Sequence, residues 1–325
     1  MSLNKLTISV HFGKKSNYVF LQNFLKSFLI CNTYPNIEII LTETSGDKEI
    51  RKWLKNLNLN NNFVNFDGTK TSIKKNKNTK TKLKLIFPKK IIKGREVPYM
   101  KCYINTAYAI DNQNNYFVFL AEDCQFFIKG DVISLLINSL KKIGHDNNHI
   151  NFCHWTDYRY KKYNNRIEKV ININKKLSLF KTSEIKGDIF SLTSRKIFKI
   201  VGRVRNPRSW IPNTLSEKLY RGDCIRHLNQ KFKTNNIKRL YPSIAPVVSF
   251  DNDYHEYFKN IIQRETLKNP DYVLCKIISE KEYYKKFKNS KIKLTSAEKI
   301  YNMNDWYKLF KTKLFFDNKL KILKK

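Results

Sequence analysis

The sequence predicts an α/β fold: a mixed, mostly parallel sheet flanked by helices. Two observations carry this. Tyr116-Phe117-Val118-Phe119-Leu120 is an unbroken apolar run that follows a polar turn at 111–115 and stops at Glu122-Asp123. A short run of that kind, rich in aromatic residues, reads as a strand buried on both faces. Residues 6–10, then Leu21, Phe24, Leu25, Phe28 and Leu29 at helical spacing, then residues 37–41, read as strand, helix and strand. Such a β-α-β unit is right-handed almost without exception, so its strands run parallel and their exit loops share one edge of the sheet.

The first strand opens into His11-Phe12-Gly13, and Ser16 or Asn17 is available to cap the helix that follows. Tyr34-Pro35 ends that helix. The second strand leads to Glu43, which can accept hydrogen bonds from a base or ribose. Asp47 is expected to cap a helix carrying Ile50, Trp53, Leu54 and Leu57. Residues 70–84 are rich in Lys, Thr and Asn, and read as a mobile loop. Residues 97–110 have helical spacing and extend the alternation toward the central strand. Beyond it, Val132, Leu135, Leu136 and Leu140 form an amphipathic helix with Asp131 near its start. His145 and His149 read as turn histidines at its end. Strands are expected at 150–157, 186–193 and 239–248, with Asp188 in the second of these. Residues 210–217, ending in Glu217, precede a helix-like stretch that carries Asp223, Ile225 and Leu228.

The domain expected at 1–255 gives way at 256–325 to a helical, Lys- and aromatic-rich C-terminal region. Basic amphipathic helices there have the composition for peripheral contact with an anionic membrane. The chain carries 63 Lys and Arg against 27 Asp and Glu, a net charge of +36. Such a field attracts nucleic acid, anionic lipid or phosphate-bearing substrates. The excess is spread along the chain with many Asn, as a compositional bias would produce. No aromatic RNA-binding motif or zinc-finger spacing supports nucleic acid. Six cysteines without a CxxC pair argue against a disulfide framework or structural zinc. Most have apolar neighbours and are expected as reduced core residues of a cytoplasmic protein; for Cys124, beside the acid pair, solvent access is left open as an alternative. No apolar run reaches the roughly 20 residues of a membrane span.

Together, residues 8–10, the helix to Leu29, Glu38-Ile39-Ile40-Leu41-Thr42-Glu43 and the stretch from Tyr116 to Asp123 resemble a family 2 glycosyltransferase of GT-A fold over roughly residues 6–250. In that family an acid after the second strand contacts the nucleotide, and a DxD motif ending a buried strand holds a divalent cation on the donor diphosphate. Glu43 stands at the first position and Ala121-Glu122-Asp123 at the second, with Ala replacing the first Asp. Asn105 lies in the segment resembling the helix before that strand, where the usual Arg is Ile104. Gly222-Asp223 resembles the later Glu-Asp motif, with its Glu lost.

The resemblance implies transfer of a sugar from a nucleotide-diphosphate donor to the hydroxyl of a glycan, lipid-linked or protein acceptor, with inversion. It places the donor on His11, Glu43, Asn105, Glu122 and Asp123, and Mg²⁺ or Mn²⁺ on Asp123 with Glu122. Asp223 is then the catalytic base, with Glu217 as the runner-up and Asp188 third. A catalytically inert protein of this fold and a basic nucleic-acid-binding protein are the alternatives.

Overall fold

The computed structural model describes residues 5–13, 17–59, 63–65, 72–74, 80–87, 116–154, 167–182, 191–197, 232–250, 255–269 and 271–286. Asn105, Asp188, Glu217 and Asp223 lie outside these, as do the predicted helix at 97–110 and residues 287–325.

The chain opens with β1 (Leu6–Phe12), α1 (Tyr18–Cys31), β2 (Asn36–Glu43) and α2 (Lys48–Asn56). β1 and β2 are parallel, Leu6 opposite Ile37 through Phe12 opposite Glu43. Short strands β3 (Phe63–Asn65) and β4 (Ser72–Lys74) form an antiparallel pair, and β5 (Lys80–Ile86) joins β2 in parallel. The expected loop at 70–84 is therefore corrected: it ends in an edge strand. Thr81, Leu83 and Leu85 alternate with Lys82 and Lys84, and the hydrogen-bond ladder to β2 overrides the poor strand propensity of Lys. Lysines on an edge strand also discourage pairing with another chain.

The central strand is β6 (Tyr116–Ala121), paired in parallel with β1, His11 lying opposite Ala121. Tyr116, Val118 and Leu120 are buried on one face, and Phe117 and Phe119 on the other. Next come β7 (Cys124–Phe126), β8 (Ile128–Lys129), α3 (Val132–Ile143), β9 (Asn148–Asn151) and β10 (Cys153–His154). They are followed by β11 (Ile167–Asn172), β12 (Ser178–Thr182), β13 (Ser191–Ser194), β14 (Lys238–Pro242) and β15 (Val247–Ser249). The described chain ends with α4 (His255–Lys268), β16 (Ile278–Ser279) and α5 (Glu280–Lys286). The main sheet has the order β11-β12-β14-β9-β13-β6-β1-β2-β5, and β10-β15-β7 form a smaller one.

α1 is buried along most of its length because Phe20, Leu21, Phe24, Leu25, Phe28 and Leu29 recur at intervals of three and four. Its aromatic residues meet β7: the Phe24 and Phe28 rings lie 5.8 and 5.3 Å from that of Phe126. Ser27 Oγ also accepts the Phe126 N–H at 3.0 Å. The helix ends where Asn32 turns extended, its N–H on the Phe28 carbonyl. Pro35, three residues on, could not have continued it. His149 is corrected from a turn residue to a fully buried residue of β9, while His145 stands in the turn.

The core does not part at 255. Phe258, Ile261, Ile262, Leu274, Cys275, Ile278 and Tyr283 belong to the same apolar cluster as β1 and α1. β16 pairs in parallel with β8, and the Tyr283 hydroxyl donates to the Ser243 carbonyl at 2.9 Å. Residues 255–269 and 271–286 are thus built into the sheet domain.

Candidate active site

After β1 the chain moves through α1 to β2 and β5 on one side, and β6 then lies on the other side of β1. This reversal makes the gap between the carboxyl ends of β1 and β6 a topological switch point. Open α/β sheets bind ligands in the crevice outside such a point. β1 ends at Phe12, just after His11. Ala121 closes β6 beside it, and Glu122 and Asp123 form the turn into β7.

Each residue is held by its neighbours. The His11 ring nitrogen Nε2 lies 2.9 Å from Thr44 Oγ1. A Cβ on Gly13 would stand 2.8 Å from His11 Cε1, so glycine gives the imidazole room to lie along the backbone. Glu122 Oε1 accepts a hydrogen bond from Asn17 Nδ2 at 2.8 Å. Asp123 is 7% exposed, and its carbonyl takes the Phe250 N–H at 3.2 Å, continuing the β7–β15 ladder. Of Ser16 and Asn17, the two residues available to cap α1, Asn17 is described. It stands at the cap position, but makes no side-chain cap bond and serves Glu122 instead.

Glu43 is fully buried. Its Oε1 accepts from Ser45 Oγ and, at 2.9 Å, from the Gly46 N–H, while Oε2 takes Arg51 Nε. The carboxylate expected to meet a nucleotide thus holds the 44–47 loop and α2 in place. Asp47 caps α2 as expected, accepting from the Glu49 and Ile50 N–H groups at 3.0 Å each.

Cys124, for which the sequence leaves core and solvent-accessible placements open, is fully buried. Burial pushes its thiol well above the usual range, and the neighbouring Cys153 and Asp123 add to the rise. A thiol kept protonated is a poor nucleophile, so Cys124 packs rather than reacts.

Gln125 follows, with both amide atoms engaged. Its Nε2 donates to the Cys275 carbonyl at 2.6 Å, and its Oε1 accepts the Cys275 N–H at 2.8 Å and Asn23 Nδ2 at 3.1 Å. Asn23 Oδ1 takes the Leu274 N–H at 3.2 Å. This buried network fastens the strand that leaves the acid pair to α1 and to residues 274–275. Asn17, Arg51, Asn23 and Gln125 were not foreseen in these roles, because their partners are distant in sequence or the signal lies in a single polar residue.

The crevice combines two carboxylates, an imidazole and the positive end of α1, whose first turn carries no acid. Among the described residues no group of three or more His, Cys, Asp or Glu could hold a metal ion. A cation here would need oxygen ligands beyond those that the described residues bring together. Among the described residues, no helix is long and apolar enough to cross a membrane.

Neither a protein-family description nor a curated protein matches the sequence. The fold is similar to that of S. aureus TarS. The crystal structure of TarS 1-349 gives a TM-score of 0.46 at 12% identity, over 81% of this chain and 65% of that one. TarS 1-349 in complex with UDP gives 0.45 at 10% identity, over 82% of this chain and 66% of that one. A further TarS structure gives 0.44 at 10% identity, covering 81% of this chain and 40% of that chain. The chain therefore spans less than two thirds of each TarS chain.

Proposed function

We propose that the protein is a glycosyltransferase that moves a sugar from a nucleotide-diphosphate donor to an acceptor hydroxyl. The supporting observation is the placement of Glu122 and Asp123 at the carboxyl end of β6, beside His11 and at the switch point of the sheet. The start of α1, joined to Glu122 through Asn17, supplies a favourable field for a diphosphate.

The acceptor oxygen attacks the anomeric carbon, the bond from that carbon to the diphosphate oxygen breaks, and a carboxylate takes the hydroxyl proton. A single displacement of this kind inverts the anomeric centre. Asp223 is the base in this reading, with Glu217 as the second candidate, on the strength of the sequence resemblance.

The acid pair fits Mg²⁺ or Mn²⁺, because such ions are commonly held by one or two carboxylates together with substrate phosphates. Asp123 would be the principal ligand and Glu122 the second, and the ion would supply charge stabilisation to the departing diphosphate. Asp123 and Glu122 orient the diphosphate end of the donor, and His11 bounds the crevice at β1.

A screen of UDP-, GDP-, CMP- and dTDP-sugars for thermal stabilisation, with and without Mn²⁺, tests the reading, because a ligand selective for the folded state raises Tm by mass action. A donor-specific shift that Asp123→Asn abolishes supports it. No shift with any donor rejects it in favour of an inert protein of this fold. Steeply salt-dependent binding to DNA or RNA would instead identify a nucleic-acid-binding protein.

A further inference from the structure

Two buried polar side chains lie away from the crevice, in the other half of the sheet. His149 on β9 and Arg239 on β14 are register partners on adjacent parallel strands, so they rise from the same face. His149 is fully buried and Arg239 is 7% exposed. Neither ring nitrogen of His149 nor Nη2 of Arg239 has a hydrogen-bond partner among the described residues. The Phe232 ring stands 4.7 Å from the imidazole and covers it. Arg239 hydrogen-bonds Tyr241, whose phenol burial keeps protonated, so this contact brings no countercharge. A guanidinium does not lose its proton in proteins, and a buried charge without a counter-ion is costly.

We propose that His149 and Arg239 bind one small monovalent anion, of the size and charge of chloride, on the sheet face that they share over β9 and β14. A single negative charge balances the single guanidinium. The imidazole is held neutral by burial and, secondly, by Arg239, and donates one N–H. An oxyanion such as phosphate would bring three or four acceptor oxygens to these two donors and leave some unmatched. A water molecule would leave the charge uncompensated.

The test is thermal melting of the full chain in chloride, bromide and gluconate at matched ionic strength, which holds the screening of the +36 charge constant. Tm is expected to rise with chloride and bromide above its value in gluconate, and to keep rising with their concentration. That excess should vanish in Arg239→Gln and in His149→Phe. Equal Tm in the three salts overturns the proposal. Both substitutions fall in the core, so crystals grown in bromide provide a reading on the unaltered chain. An anomalous peak between the two side chains supports the site, and a water molecule in that position overturns it.

Discussion

The side-chain amide of Asn17 hydrogen-bonds the Glu122 carboxylate at 2.8 Å across 105 positions of sequence. It ties the start of α1 to the end of β6 at the mouth of the crevice. Because Asn17 makes no cap bond, its replacement removes this contact without uncapping the helix. Asn17→Ala is expected to cost about 1 kcal/mol in urea denaturation, with unchanged far-ultraviolet circular dichroism. A loss of helical signal would show that Asn17 caps α1 in solution after all.

Asp123 lies at the end of the buried strand and is nearly enclosed. In the proposed reaction its carboxylate meets the cation and diphosphate, so Asp123→Asn should lower kcat/KM by about 10²-fold or more. The fold should survive, since the same position keeps its backbone bond to Phe250. The matched pair of measurements is turnover and Tm; a variant with near-normal turnover would remove Asp123 from the site.

For Asp223 the expectation differs. A general base adds about 10²–10⁴-fold to the rate, so Asp223→Asn should lose that factor in kcat while donor binding, followed by calorimetry, stays unchanged. If Glu217→Gln produces the larger loss, the base is Glu217.

The β1-α1-β2 unit, the doubly buried β6 and the Asp47 cap were legible because each is written in local periodicity or in one residue's preference. β5 was not, since Thr81, Leu83 and Leu85 are diluted by lysine and become a strand only through the ladder to β2. Polar partners fared worst. Glu43 had the right type and place for a nucleotide contact, yet which donors reach its oxygens depends on how the 44–47 loop and α2 fold back. The continuation of the core past 255 was equally hidden, because Leu274 and Ile278 acquire meaning only when Gln125 and β8 lie beside them.

Gln125 shows the strength of such hidden contacts. Gln125→Leu keeps a side chain of similar size but strips partners from the Cys275 N–H and carbonyl and from Asn23, all buried. Leaving buried polar groups unmatched costs about 1–3 kcal/mol each, so a loss of about 3 kcal/mol is expected. Amide hydrogen exchange should quicken first in residues 271–279. Uniform protection there would mean that the apolar contacts of Leu274 and Ile278 hold the segment without the amide.

His149 should leave a mark on the pH dependence of stability. Burial, and then the charge of Arg239, holds its folded-state pKa well below 6.5, whereas the unfolded chain titrates near that value. Between the two pKa values the unfolded state therefore binds the extra proton. Stability contributed by the neutral imidazole is complete above about pH 6.5 and falls as the pH drops, by about 1.4 kcal/mol per pH unit. Urea denaturation of wild type and His149→Phe from pH 7 down to pH 5, in gluconate, isolates this slope from that of the carboxylates. The difference between the two proteins should shift in favour of the variant as the pH falls. Parallel curves would show that the imidazole takes up its proton in the folded state as readily as in the unfolded one.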